Sequence, residues 1–235
     1  MAIPDRMDER LRALHLVEGQ RRARALFAEV TRRGLIAAGR SEFEVTDRIG
    51  DLAREVWGTR TRWPGRIVRS GPHALLPYGE EPAADRMIGA DDTVTAHFGP
   101  LLPGHGADLT RTAVLGDGPA GRRLLRDLPG IFAAGRELFH ADPGITGRQL
   151  HEALRALAGK AGWTLAGWHA GHLVGEAPAA NPLCARADAY IGPDNDRPLR
   201  RTTAGGWQAH WLLEVHLADE HAGLGGSHKG LLGLL

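Results

Sequence analysis

His97 and Asp108, an imidazole and a carboxylate, stand at the two ends of one loop. Two apolar, β-branched runs, Thr93 to Phe98 and Leu109 to Leu115, flank a loop carrying Gly99, Pro100, Pro103, Gly104 and Gly106, a pattern that predicts an antiparallel hairpin. Facing residues beside such a loop come within side-chain reach, so two acid/base groups or two metal ligands converge on one point. Further along, Gly171-His172-Leu173-Val174-Gly175 sets an imidazole between glycines, which by itself is a turn signal. Trp211-Leu212-Leu213-Glu214-Val215-His216 then places a carboxylate in an apolar strand, and a period of two puts Leu212, Glu214 and His216 on one face.

The elements that must position these groups come in a repeating order. Asp8 to Arg33 has the apolar spacing of an amphipathic helix, stopped by Gly34. Ser41-Glu42-Phe43-Glu44 has capping-box spacing and opens a second helix toward Trp57. Arg66 to Ser70 and Thr93 to Phe98 read as strands joined by a loop over Gly71 to Pro82. After the hairpin, Gly121 to Ala141 is helical with a break at Pro129, and Thr146-Gly147-Arg148-Gln149 caps a helix to Gly162. At an offset of 105 between Ser41 and Thr146, Leu26-Phe27-Ala28 falls on Ile131-Phe132-Ala133, Gly39 on Gly144, Val45 on Leu150 and Leu52 on Leu157. One register held through two helices predicts two related halves. Asn181 to Gly206, with a turn at Gly192-Pro193-Asp194-Asn195, reads as a loop able to fold over a pocket.

These stations resemble the pita-bread metallopeptidase family of methionine aminopeptidase, aminopeptidase P, prolidase and creatinase. Its first metal motif is Asp, an aromatic or small residue and Gly, then a second Asp followed by Arg-Thr; here His97-Phe98-Gly99 precedes Asp108 and Arg111-Thr112. His172 resembles the family's glycine-flanked metal histidine, and Glu214 the next glutamate ligand. The resemblance implies an α+β pita-bread fold, two pseudo-symmetric halves of helices packed on a curved, mostly antiparallel sheet, over a single domain spanning 1–235. It also implies two divalent metals held by two Asp, one His and two Glu.

This chain departs from that set. His97 replaces the first Asp, and no acidic residue follows Glu220, so the bridging glutamate of the last strand is missing; Lys229 takes its place, with a one-residue slip to His228 open. Near Pro77, where the family has a catalytic histidine, the chain offers Tyr78. Two carboxylates and a lysine leave too little negative charge for two dications. One arrangement is metal-free, as in creatinase, with Lys229 paired to Asp108 and Glu214, His97 or His172 as base, and Lys229 or Tyr78 as acid. The other is a single Zn, Mn or Fe held by Asp108, His172 and Glu214. The first implies hydrolysis, elimination or cyclisation of a small amide-like or amino-acid-derived substrate, the second an aminopeptidase-like hydrolase; a non-catalytic binding module is the third reading. Trp168, His210, Trp211, His216 and His228 are candidates for lining the substrate pocket, the histidines being alternatively satisfied groups of the core.

A net charge of +1 gives no electrostatic case for nucleic acid or an anionic membrane, although arginines cluster at Arg21 to Arg24 and Arg197 to Arg201. The single cysteine, Cys184, excludes an internal disulfide, and the polar N-terminal stretch reads as neither a signal peptide nor a membrane span. The expectation is a cytoplasmic protein with a small-molecule substrate; the family implies a homodimer.

Overall fold

The computed structural model describes residues 6–58, 67–77, 80–99, 108–175 and 186–234. Tyr78, Trp63, Cys184, Arg66, the hairpin loop from Pro100 to Gly106 and the first part of the 181–206 segment lie outside the described residues.

Helices α1 (Arg6–Arg32) and α2 (Glu42–Trp57) precede strands β1 (Val68–Ser70), β2 (Thr93–His97) and β3 (Thr110–Val114). Helices α3 (Pro119–Ala141) and α4 (Gly147–Lys160) precede β4 (Thr164–Leu165), β5 (Gly171–Leu173), β6 (Trp211–Asp219) and β7 (Leu224–Leu231). All strands join one antiparallel sheet in the order β1-β2-β3-β7-β6-β4, with β5 also on β6. The fold is thus the pita-bread α+β arrangement that the sequence implied.

The 105-residue echo survives in three dimensions. Ser41 and Thr146 are both N-caps, and the buried stripes Val45, Ile49 and Ala53 of α2 and Leu150, Leu154 and Ala158 of α4 superpose under that offset. Each half builds its own core. The first packs Leu26, Val30, Val45 and Ile49 against Val94, Ala96, Phe98 and Leu109. The second packs Leu124, Leu128, Leu150 and Leu154 against Trp211, Leu213, Val215 and Leu217.

Several local expectations need correction. The helix does not break at Pro129: α3 runs through it. Pro129 lies on the exposed side beside half-exposed Leu125, so the lost hydrogen bond is open to water, while Leu124, Leu128, Ile131 and Phe132 keep the buried stripe intact. At α2 only half of the capping box forms. Ser41 accepts from the Glu44 N–H, but the Glu44 carboxylate takes Arg48 one turn on. At α4 both halves form. The 71–82 loop opens with a 3-10 turn, Gly71–Leu75, and the described part of 181–206 is packed rather than lid-like, burying Tyr190, Ile191, Asn195 and Leu199. The short edge strand β4 went unread because two residues carry no period.

The halves meet at β3 and β7, where the backbone register is one pair, Thr110 opposite Lys229. Side chains complete the seam. Thr112 Oγ1 donates to the Ser227 carbonyl at 3.0 Å and accepts the Ser227 N–H at 2.8 Å, and Arg111 donates to the Lys229 carbonyl at 2.8 Å. Beyond Lys229, Gln20 of α1 takes over the open strand edge, accepting the Leu231 N–H at 3.1 Å.

Candidate active site

Strand alternation at this seam decides which side chains meet. His97 closes β2 and pairs with Thr110, Thr110 pairs with Lys229, and Lys229 pairs with Glu214, so four neighbouring strands turn consecutive side chains to one face. Asp108 enters just before β3, and Gly99 makes room for it: a Cβ at Gly99 would lie 2.6 Å from Asp108 Oδ1. His172 arrives on β5 beside Gly171, whose φ of 136° and contact with the Leu212 carbonyl leave no space for a side chain.

The result is a compact charged cluster. Lys229 Nζ lies 2.5 Å from Asp108 Oδ2 and 3.4 Å from Glu214 Oε2, and its side chain is 0% exposed. His97 Nε2 lies 2.5 Å from Asp108 Oδ1, while its Nδ1 meets Thr110 Oγ1 at 3.2 Å. His172 Nε2 faces Asp108 Oδ2 at 3.7 Å. Because a carbonyl only accepts, the 3.1 Å contact of His172 Nδ1 with the Leu173 oxygen fixes the proton on Nδ1 and leaves Nε2 as the nitrogen that gains and loses one. Ser227 Oγ donates to Glu214 Oε1 at 3.0 Å.

Electrostatics lock these charge states. Burial pushes the Asp108 carboxyl up, but His97 and Lys229 outweigh it and hold it well below the usual carboxylate range. Burial acts the same way on Glu214, and Lys229, ahead of His97 and His169, holds it at about 2. Burial pulls the Lys229 ammonium down, yet Asp108 and Glu214 overcome this and raise it above the ordinary lysine range. The cluster therefore carries two anions and one cation before either histidine is protonated.

The other sequence candidates divide. His216 shares the Glu214 face and Trp168 stands nearby through His169, whose ring lies 4.6 Å from Trp168 and 6.5 Å from His172. His216 Nε2 donates to the Ala74 carbonyl at 2.9 Å, and burial keeps it neutral by lowering its pKa. Trp211 is elsewhere, since it points into the second core with its indole N–H on the Leu199 carbonyl at 2.8 Å. His228 alternates away from Lys229 and packs on Phe132 at 4.7 Å, so of the two slip positions Lys229 is the one that meets the carboxylates. His210 bonds Glu9 at 2.7 Å and lines a cleft of about 410 Å³ with Arg200, Phe139 and Trp211, apart from the cluster. Tyr78 lies outside the described residues.

Three neighbours went unread. Thr110 and Ser227 were within reach of the period-two rule, each lying two positions from a named residue on the same strand face or one rung across. His169 had no such signal. It accepts the Gly171 N–H on Nδ1 at 3.1 Å, and burial, partly opposed by Glu214, lowers it to about 4.

The profile of metallopeptidase family M24 matches residues 15–203, most of the chain, including His97, Asp108, Thr110, His169 and His172 of the site. The chain belongs to that family. Among curated relatives of this M24 chain, the uncharacterized peptidase YqhT of Bacillus subtilis is 31% identical over 131 residues, 54% of this chain and 36% of its own length. An Xaa-Pro dipeptidase of Pyrococcus horikoshii is 24% identical over 166 residues, 67% of this chain and 46% of its own. Solved structures with the same fold include a Pyrococcus horikoshii dipeptidase, TM-score 0.68 at 22% identity, covering 97% of this chain and 57% of that one. The dipeptidase PepE of Mycobacterium ulcerans gives TM-score 0.65 at 25% identity, covering 93% and 57%. The chain thus spans less than half the length of these curated relatives. Among the described residues, no helix is long and apolar enough to cross a membrane.

Proposed function

We propose that this M24 chain is an enzyme in which Lys229 stands where the family's metal pair would sit, and that it performs metal-independent acid/base chemistry on a small amide-like or amino-acid-derived substrate. The position of Lys229 carries this reading: the ammonium fills the space between Asp108 and Glu214 that a bridging cation would need. A dication there would face a buried ammonium and only two carboxylates, leaving buried positive charge that is costly to desolvate. The residues present do not suit a metal pair.

In this reading His172 is the base, because the proton on its Nδ1 leaves the Nε2 lone pair free to accept one, whereas both nitrogens of His97 are engaged by Asp108 and Thr110. Asp108 and Glu214 are orienting charges that stabilise the imidazolium as it forms. Tyr78 supplies the acid, Lys229 stays charged and fixes Asp108 and Glu214, and Trp168 and His216 line the pocket. The chemistry is a hydrolysis, elimination or cyclisation. The chain acts as a cytoplasmic homodimer, a state that sedimentation equilibrium reads directly.

The second reading keeps a single metal on Asp108, His172 and Glu214 and the relatives' reaction, cleavage of an Xaa-Pro bond. Its support is the 3.7 Å approach of His172 Nε2 to Asp108 and the peptidase relatives. Elemental analysis of protein purified without chelator, followed by turnover of Xaa-Pro dipeptides with and without added Mn or Zn, separates the two. Stoichiometric metal, or activity that rises with it, sinks the metal-free reading. Unchanged turnover of a found substrate in both His172→Ala and Glu214→Gln removes the proton-transfer role.

A further inference from the structure

On the opposite face of the same seam lies a second charged cluster of the reverse sign. Thr110 and Lys229 face the site, so Arg111 and His228, one residue along each strand, face the helices. Arg111 is anchored there by the Thr110 and Lys229 carbonyls at 2.7 and 2.8 Å. His228 rests on Phe132 of α3, and four residues on, Arg136 of α3 donates to the Leu232 carbonyl at 3.3 Å. From α1, Gln20 lies over Gly230, where a Cβ would sit 2.5 Å from its Nε2, and Arg24 follows one turn later on the same helix face.

Three guanidiniums therefore gather between α1 and α3 above β7, and among the described residues none of them forms an ion pair. Arg21 and Arg22 are answered by Glu18, and Arg32 and Arg33 by Glu29, but Arg24 has no hydrogen bond or ion pair among the described residues. Burial lowers Arg24 and then Arg136 lowers it further; burial likewise leads at Arg111, brought down to about 10 with Arg24 adding. The ring of His228 is held neutral at about 3 by burial, Arg111 and Arg24. Among the described residues, no carboxylate contributes to any of these shifts. The Gln20 Nε2 amide is also buried without a partner among the described residues, a further donor beside the same strand. Like charges do not gather at a partly buried seam without cost, and a bound anion is the group that offsets it.

We propose that this seam above β7, between α1 and α3, is an anion-binding site for a dianionic phosphate, gripped by Arg24, Arg111 and Arg136. The fork of each guanidinium matches the paired oxygens of a phosphate, and Arg24 is exposed while Arg111 and Arg136 are half-buried, so the ligand enters from solvent. Because Arg111 also holds the Lys229 backbone, occupancy stiffens the strand that carries the lysine of the candidate active site. The proposal does not depend on what that site catalyses.

The test is calorimetric titration of the full chain with inorganic phosphate and, separately, with glycerol 3-phosphate, at constant ionic strength against chloride. Saturable binding of either supports the site, and the tighter of the two tells free phosphate from a phosphomonoester. Arg24→Gln, at an exposed position, and Arg136→Gln, whose amide can still donate to the Leu232 carbonyl, should each weaken binding about tenfold or more, as loss of one charge-assisted contact implies. Both variants should melt no lower than the parent without phosphate, because repulsion is relieved. Absence of saturable binding in the parent, or equal affinity in parent and variants, overturns the proposal. So does a change of oligomeric state in Arg24→Gln at unchanged phosphate affinity, which would assign the cluster to a partner's carboxylate.

Discussion

At the scale of single residues, a buried lysine answered by two carboxylates makes sharp predictions. Lys229→Met leaves Asp108 and Glu214 as uncompensated buried charges and should cost about 3–5 kcal/mol, read from the urea midpoint. Lys229→Glu reverses the charge and adds a ligand, so it should bind Mn or Zn, by titration calorimetry, much more tightly than the parent does. Equal metal affinity in the two proteins would show that Lys229 does not set the cation balance. The pH dependence follows from the lowered groups. Glu214, held at about 2, stabilises the fold fully above its unfolded value near 4.5 and loses that contribution as pH falls toward 2. His169 and His228, lowered to about 4 and about 3, act in the same direction from a higher start, since the unfolded chain takes up their protons below about 6.5. The raised Lys229 contributes below its unfolded value and fails only in strong alkali. Melting temperature should therefore be flat from about pH 7 to 9 and fall progressively below about 6.5. A protein most stable at pH 4 would contradict these charge states.

At the scale of elements, the caps and the proline give two opposed expectations. Thr146→Ala removes the side-chain half of the capping box of α4, the acceptor of the Gln149 N–H, while its own backbone N–H still donates to Gln149, and it should cost about 1 kcal/mol, measured by denaturant unfolding. Pro129→Ala restores a backbone donor on the exposed side of α3 and should raise the melting temperature. The helices were legible because their apolar spacing is a local property, and so were the 105-residue echo and the hairpin that brings His97 to Asp108. Helix continuity through Pro129 was not, because the compensation lies in Leu128, Ile131 and Phe132 packing against a sheet that comes later in the chain. The role of Trp211 was misjudged for the same kind of reason. Its position beside Glu214 was visible, but the Leu199 carbonyl that claims its indole was not.

At the scale of the whole molecule, the candidate cluster draws His97 and Asp108 from the first half and His172, Glu214 and Lys229 from the second. Motif order was enough to assemble that list. What could not be read was the sheet order that lays β7 against β3, or contacts between distant segments such as Glu9 with His210 and Gln20 with Leu231. The pairing of β6 with β7 runs continuously from Leu212 to Asp219, whereas β3 and β7 share one backbone pair. Because β3 is laddered to β2 along its length, amide hydrogen exchange should be slow along β6 and β7 and faster only at the β3 amides that point toward β7, a contrast that uniform protection would refute. The two halves of this protein are stitched by one backbone rung, reinforced by Thr112 and Arg111, with an ionic clasp on its inner side. Weakening that clasp should therefore be felt first along the stitching and only later in the apolar interior of either half.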